Sequence, residues 1–289
     1  MRAFLLAARP KTLPAAIAPV VAGTALGAQL AGQLHLGLSL IAFASCLCLQ
    51  IATNLFNDAI DHAKGADTKQ RLGPRRITAS GDLSSRQVHT AAFITLILAT
   101  LLALPLFSAR GWPILAFGLP SLYLCYGYTG GPVPLAYRGL GDVFVLIFFG
   151  WVAVIGSCFL QTAAFDLPAL LLGTQIGLLS TTLIAINNLR DRDEDRQTGK
   201  HTLAVQWGVS FARIEIACCL LGPTLLGLLW LRTPFALAAW WPILALPLAL
   251  LILHNILTTL PSPRYNVFLA LSALHLLLFT GLLMIGLLA

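Results

Sequence analysis

Charged side chains are scarce in this chain. Asp, Glu, Lys and Arg make up 10% of its 289 residues against 58% hydrophobic ones, and the mean hydropathy is +0.85. A soluble domain of this length has no interior large enough for so much apolar surface, so the scarcity excludes an ordinary water-soluble fold and a disordered, solvated chain alike. Also missing is a convincing cleavage site near the amino terminus: MRAFLLAARPKT has too short an apolar core for a signal peptide and reads as mature chain entering a first span. Metal-ligand spacing is missing among the six cysteines (46, 48, 125, 158, 218 and 219), all of which fall in apolar stretches and read as small buried hydrophobes. It is missing too among the dispersed histidines, of which only His62 lies within the first acidic cluster, where it could touch phosphate.

What is present is a series of long apolar runs. A membrane-spanning helix needs roughly 20 apolar residues, and about nine such segments occur, near 12–31, 36–56, 88–108, 112–130, 140–163, 167–187, 210–231, 236–256 and 266–288. The fold class expected is therefore all-α: one polytopic transmembrane bundle of about nine helices, occupying residues 1–289 as a single domain. Gly23 and Gly27, four apart, suit a close helix contact.

With the amino terminus cytoplasmic and nine spans, 16 of the 18 Lys and Arg fall on the cytoplasmic side and only Arg110 and Arg232 on the other. That is the positive-inside pattern. It places the carboxyl terminus opposite, and it accounts for the formal net charge of +7 without a nucleic-acid partner.

The eleven acids are more telling. Asp58, Asp61, Asp67 and Asp82 follow the second run; Asp191, Asp193, Glu194 and Asp195 follow the sixth. In each cluster an Asn precedes an Asp by four: Asn57 with Asp61, and Asn187 with Asp191, continuing to Asp195. Residues four apart share a helix face, so each array aligns oxygen ligands on the last turns of a helix, and the two stand 130 positions apart, as a duplicated bundle would place them. Crowded carboxylates need a positive partner. Mg²⁺ takes hard oxygen ligands, and substrate phosphates commonly complete its shell. With Lys64, Lys69, Arg71, Arg76, Arg190, Arg196 and Lys200 nearby, such arrays suit a magnesium-bridged pyrophosphate. A secondary transporter would keep its ionisable residues near the bilayer midplane, whereas here they gather at helix ends. A phospholipid-type phosphotransferase would carry one compact acidic array and not two.

The stretches NDAIDHAKGADTKQRLGPRRITASG and NNLRDRDEDRQTGKHTLAVQWG resemble the two aspartate-rich motifs of the UbiA superfamily of membrane prenyltransferases. More narrowly, with RPKTLPAAIAPVVAGTALG and YTGGPVPLAYRGLGD, they are similar to the branch that prenylates 1,4-dihydroxy-2-naphthoate. Across the superfamily a third acid commonly follows Asp61 by four. Here Gly65 holds that place and Asp67 comes two later, as in the naphthoate branch. The resemblance implies metal ligation by Asn57, Asp58, Asp61, Asp67, Asn187, Asp191 and Asp195. It implies a diphosphate held by Asn57, Lys64, Arg71, Arg76, Asn187, Arg190 and Lys200, and catalysis centred on Asp61, Asp191, Asp195, Lys200 and Tyr128.

The expected substrates are a polyprenyl diphosphate, its tail in the membrane lipid, and an aromatic acceptor: dihydroxynaphthoate, or as an alternative 4-hydroxybenzoate or homogentisate. Lys11, Arg138 and Asp142 are acceptor-binding candidates. Tyr123, Tyr126, Tyr128, Phe148 and Phe149 are candidates to steady an allylic cation. The Gly-, Pro- and charge-rich segment from about 62 to 86 is expected to cap the site on the cytoplasmic face of the inner membrane, with short helices of its own.

Overall fold

The computed structural model describes residues 2–67, 71–74 and 76–289, without the side chains of Arg2 and Lys11. Lys69 and the Lys11 side chain, both invoked from sequence, thus lie outside the described residues. Ten helices follow in chain order: α1 (Arg2–Ala7), α2 (Pro14–Ala31), α3 (Leu36–Ala63), α4 (Ser85–Arg110), α5 (Pro113–Gly127), α6 (Gly141–Thr162), α7 (Leu167–Gln197), α8 (Leu203–Arg232), α9 (Ala236–Thr258) and α10 (Tyr265–Leu288). All but α1 and α5 are long and apolar enough to cross a membrane.

Local chemistry sets the helix ends. Ser84 and Gln87 form a reciprocal capping box at the start of α4. Proline opens α2 and α5, where its missing N–H costs nothing. Gly32, with φ 68°, closes α2.

Two helices outrun their apolar segments. α3 has 28 residues and α7 has 31, about 42 and 46 Å at 1.5 Å per residue, so both exceed a hydrocarbon core of about 30 Å. The excess carries the Asn/Asp arrays, which lie on the last helical turns as their four-residue spacing predicted. The fourth expected segment is shorter than foreseen: α5 has 15 residues, about 22 Å, because the chain turns out through Gly130 and Gly131, the latter at φ 72°.

The principal packing pairs are α3 with α4, α7 with α8, and α2 with α6, while α10 lies against both α2 and α7. Close approach depends on glycine. A Cβ on Gly23 would stand 2.4 Å from the Val154 carbonyl oxygen and one on Gly27 2.8 Å from that of Cys158, so the pair seats α2 against α6 as its spacing suggested. Gly150, Gly173 and Gly177 do the same for α6 on α7. Of the cysteines, Cys125, Cys158 and Cys219 are buried as expected, but Cys46 and Cys48 are half-buried and Cys218 is exposed, a correction that reflects its outward-facing position on α8.

Between α3, α5 and α6 this leaves an apolar chamber with about 1180 Å³ of empty space, part of it open to the surroundings. Its wall on α6 runs from Phe144 to Leu160, a rise of about 24 Å. A π-helical stretch over Leu146–Val152 lets the consecutive Phe148 and Phe149 both line it; such bulges recur at functional sites.

Candidate active site

The upper rim of the chamber includes Thr53, Tyr128 and Phe144. Thr53 lies one helical turn before Asn57, Tyr128 directly precedes Thr129, and Phe144 follows Asp142 by two. The acid arrays therefore stand at this end of the chamber.

On α3, Asp61 is 2% exposed and is the hub. Its Oδ2 accepts from Arg76 Nη2 at 2.8 Å and Lys200 Nζ at 2.9 Å, and its Oδ1 from the Tyr137 hydroxyl at 3.0 Å. One carboxylate thus joins the segment after α3, the loop between α5 and α6, and the end of the second array. Asp67 Oδ1 accepts from Arg71 Nη1 at 3.0 Å and Arg76 Nε at 3.2 Å. Burial pushes the Asp67 carboxyl up to about 6, against the lowering pull of Arg71.

The structure gives Asp58 a different role from the metal ligand expected. Its two oxygens accept the backbone N–H groups of Thr78 at 2.8 Å and Ile77 at 3.2 Å, so it anchors the segment between α3 and α4 as a strap over the helix end. The cap is thus present, but among its described residues it is built of turns and not of short helices, because side-chain anchors take the place of a helical ladder. Asn57 accepts from the Thr129 hydroxyl. Lys64 Nζ donates to the Thr129 carbonyl at 2.7 Å and lies 4.0 Å from the centre of the Tyr137 ring, with Lys200 Nζ at 5.1 Å. Burial lowers the Lys64 pKa, while burial and the neighbouring Asp61 charge raise that of Tyr137.

On α7, Arg190 is buried and clasps Asp191 in a bidentate pair at 2.7 and 2.6 Å. It also donates to Asn187 Oδ1 at 2.5 Å and Asn266 Oδ1 at 2.7 Å, while Asn266 Nδ2 holds the Leu72 carbonyl of the strap at 3.0 Å. Gly73 is required there, since a Cβ would approach Arg190 Nη2 to 2.6 Å. Arg190, expected to face a diphosphate, thus ties α7, α10 and the strap together. Asp195 is buried at 9% exposure, and its carboxylate makes no hydrogen bond among the described residues.

The acceptor candidates are scattered. Asp142, at the start of α6, accepts from Asn188 Nδ2 at 3.2 and 3.3 Å, beside Gly141, where a Cβ would stand 2.8 Å from the Tyr128 hydroxyl. Arg138 is exposed and donates to the Pro132 carbonyl at 3.4 Å. Among the aromatic candidates Tyr128, Phe148 and Phe149 line the chamber, whereas Tyr123 and Tyr126 are exposed at 55% and 40%; they sit on α5 faces that the chamber does not use. His62 is exposed.

Sequence reasoning missed Tyr137, Thr129 and Asn266. Tyr137 and Thr129 lie inside the quoted YTGGPVPLAYRGLGD stretch, so a signal was present. Asn266 opens the last apolar run and carried none.

Among the described residues no three acid, imidazole or thiol side chains converge into a ready metal cage; the acids are instead bridged by cations. Yet three buried polar atoms of the cluster have no partner among the described residues: Asp67 Oδ2, Arg76 Nη1 and Arg9 Nη2. A vacant carboxylate oxygen beside vacant guanidinium donors fits an oxygen-ligated divalent cation together with an anion, since Mg²⁺ takes one or two carboxylates and completes its shell with water and phosphate.

Comparison with known proteins agrees. The chain is 40% identical to the 1,4-dihydroxy-2-naphthoate octaprenyltransferase of Escherichia coli (strain K12), over 86% of this chain and 82% of that protein. The fold matches a UbiA homolog from Archaeoglobus fulgidus with a TM-score of 0.70, 14% identity and coverage of 99% and 100% of the two chains. It also matches, at 0.59, 14% identity and 97% and 98% coverage, the structure of an Archaeoglobus fulgidus UbiA homolog bound to DMAPP and Mg²⁺. The model of the UbiA prenyltransferase family matches residues 16–277, and this chain belongs to that family.

Proposed function

We propose that the protein transfers a polyprenyl group from polyprenyl diphosphate to 1,4-dihydroxy-2-naphthoate with loss of CO₂ and pyrophosphate, giving demethylmenaquinol for menaquinone biosynthesis. The observation that carries this reading is the Asp61-centred charge cluster, with its vacant donors and acceptor, at one end of an apolar chamber about 24 Å deep. The names of the relatives at 35–40% identity support the naphthoate acceptor.

In this reading the prenyl tail occupies the chamber and the diphosphate lies at that end. Asp61, Asp67, Asp191 and Asp195, with Asn57 and Asn187 beside them, would hold Mg²⁺, which when bound would supply charge neutralisation to the leaving group. Arg76, Lys64, Lys200 and Arg71 donate to the phosphate oxygens, placed before the reaction and needing no reorganisation. The allylic C–O bond breaks with its electron pair leaving on pyrophosphate. The strap and the apolar walls keep water from the allylic cation, and Tyr128, Phe148 and Phe149 present π faces to it. The ring carbon bearing the carboxylate forms the new C–C bond; its bond to the carboxylate then breaks, and that electron pair restores the aromatic ring as CO₂ leaves. Asp142, fixed by Asn188, orients an acceptor hydroxyl. The site opens to the cytoplasm from the inner membrane.

The test is prenyl transfer on membranes containing the protein, with Mg²⁺ present or chelated and with dihydroxynaphthoate and 4-hydroxybenzoate in competition. Magnesium-dependent prenylated naphthoquinol with release of CO₂ is expected. Product from hydroxybenzoate alone would move the enzyme to another branch, and product insensitive to chelation would remove the metal.

A further inference from the structure

The amino-terminal elbow between α1 and α2 is built with more care than a connection needs. Arg9 has φ 51° and ψ 70°, in the left-handed region. Among the described residues only Ala163 shares a positive φ without being glycine. Non-glycine residues hold this conformation when their surroundings impose it, and such positions cluster at functional sites. The surroundings here are explicit. Asn54 Nδ2, one turn before Asp58 on α3, donates to the Ala8 carbonyl at 2.8 Å and to Thr12 Oγ1 at 3.0 Å, clamping the chain on both sides of Arg9. Gln50 donates to Asn54 Oδ1 at 3.3 Å, and the Arg9 carbonyl accepts from the Thr12 hydroxyl at 2.9 Å.

The clamp brings the Arg9 guanidinium among Asp58, Asp61, Asp67 and Arg71, the charges that act on it. Yet it forms no ion pair or hydrogen bond among the described residues, and its Nη2 is buried without a partner. Asp58 instead spends its oxygens on strap amides, and Asp61 and Asp67 Oδ1 take Arg76, Lys200 and Arg71. A buried guanidinium donor left open is costly unless an anion fills it. Arg76 Nη1 is open in the same cluster, so two guanidinium groups present unfilled donors beside the unfilled Asp67 Oδ2.

We infer that Arg9 is a diphosphate ligand: with Arg76 it grips phosphate oxygens of the prenyl donor, and the Asn54 clamp makes the amino-terminal elbow one wall of the active site. This rests on the reading of the cluster as a diphosphate site.

The test measures binding of magnesium pyrophosphate to the full-length protein by calorimetry, separately from binding of dihydroxynaphthoate, in wild type, Arg9→Gln and Arg9→Gly. Glycine adopts a positive φ freely, so Arg9→Gly removes the guanidinium while relieving the backbone and keeps the fold testable. Loss of charged hydrogen bonds predicts pyrophosphate binding weaker by about ten- to a hundredfold in both variants. Acceptor affinity should stay within about twofold of wild type, and Arg9→Gly should have a thermal midpoint no lower than Arg9→Gln. Wild-type pyrophosphate affinity in the folded variants would overturn the assignment, as would a loss confined to dihydroxynaphthoate. If the wild-type protein itself bound no magnesium pyrophosphate, the diphosphate reading of the whole cluster would fall, and the role of Arg9 with it.

Discussion

Two neighbouring aspartates on the last turns of α3 have come to do different work. Asp61 balances Arg76 and Lys200 within the cluster, whereas Asp58 holds backbone amides of the strap. Asp61→Asn is expected to lower turnover by more than about a hundredfold, as loss of preorganised charge does elsewhere. It should also lower the thermal midpoint, because the residue is buried and paired rather than lying at an exposed helix end. Asp58→Asn should keep more turnover and show its loss as faster proteolysis of the strap; equal turnover losses in the two would erase the distinction. Tyr137→Phe keeps the ring beneath Lys64 and Lys200 and removes only the 3.0 Å bond to Asp61, so kcat/KM should fall by about tenfold, the scale of one hydrogen bond to a charged group. Asp67 makes a prediction in pH. Its carboxyl, raised to about 6 from an ordinary 3.8, holds its proton more tightly folded than unfolded. Its contribution to stability therefore falls as pH rises from about 4 to about 6 and is flat above, with an upper bound on the order of 3 kcal/mol. Thermal midpoints of magnesium-free protein across that range should separate from those of Asp67→Asn in this direction; parallel curves would show that Asp67 titrates normally.

At the level of helices, spacing is set where no side chain intervenes. A Cβ on Gly150 would stand 2.4 Å from the Gly173 carbonyl oxygen, while one on Gly37 meets nothing within 4 Å. Gly150→Leu should force α6 from α7 and cost several kcal/mol, on the scale of other overpacked interfaces, whereas Gly37→Ala should stabilise by about 0.5–1 kcal/mol. Paired thermal scans would expose the idea as wrong if the two shifts were alike. The same elements show what could be read from the sequence. The apolar runs and the Gly23/Gly27 contact were legible because burial in lipid and close helix approach leave direct marks in composition. Hydropathy alone stops at the first Asn or Asp, so the extension of α3 and α7 was legible only through the four-residue Asn/Asp spacing; those helices continue because their polar side chains find partners in the strap and the facing loop. Tyr137 and Asn266 escaped for a related reason: one hydrogen bond across 76 residues, from Tyr137 to Asp61, and another across 194, from Asn266 to Leu72, leave no local pattern. The π-helical stretch of α6 is likewise a product of packing, because nothing in LIFFGWV distinguishes it from an ordinary apolar helix.

For the whole molecule, one ion pair settles a question that length leaves open. At 15 residues α5 is shorter than a usual span, and if it failed to cross, three passes would separate the end of α3 from the end of α7 and put the two arrays on opposite faces. Lys200 Nζ lies 2.9 Å from Asp61 Oδ2, so the passes between them are even in number, and with α4, α6 and α7 counted as spans α5 would be one as well. If the three helices after α7 each span, they carry the carboxyl terminus to the other face, and two spans before the first array would return the amino terminus to the arrays' side. This parity agrees with the distribution of basic residues, which leaves Arg110 and Arg232 alone on the far face. There Arg110 Nε donates to the Leu160 carbonyl at the end of α6 at 2.9 Å, and Trp112 and Trp240, close to the first residues of α5 and α9, are exposed, as residues of an aromatic belt are. Alkaline phosphatase fused after Ala289 is therefore expected to be active, and the same enzyme fused after Gln197 inactive, in bacterial cells. Activity at both sites or at neither would put the two positions on one face. An even number of passes would then follow α7, and one of α8, α9 and α10 would fail to span despite having the length to do so.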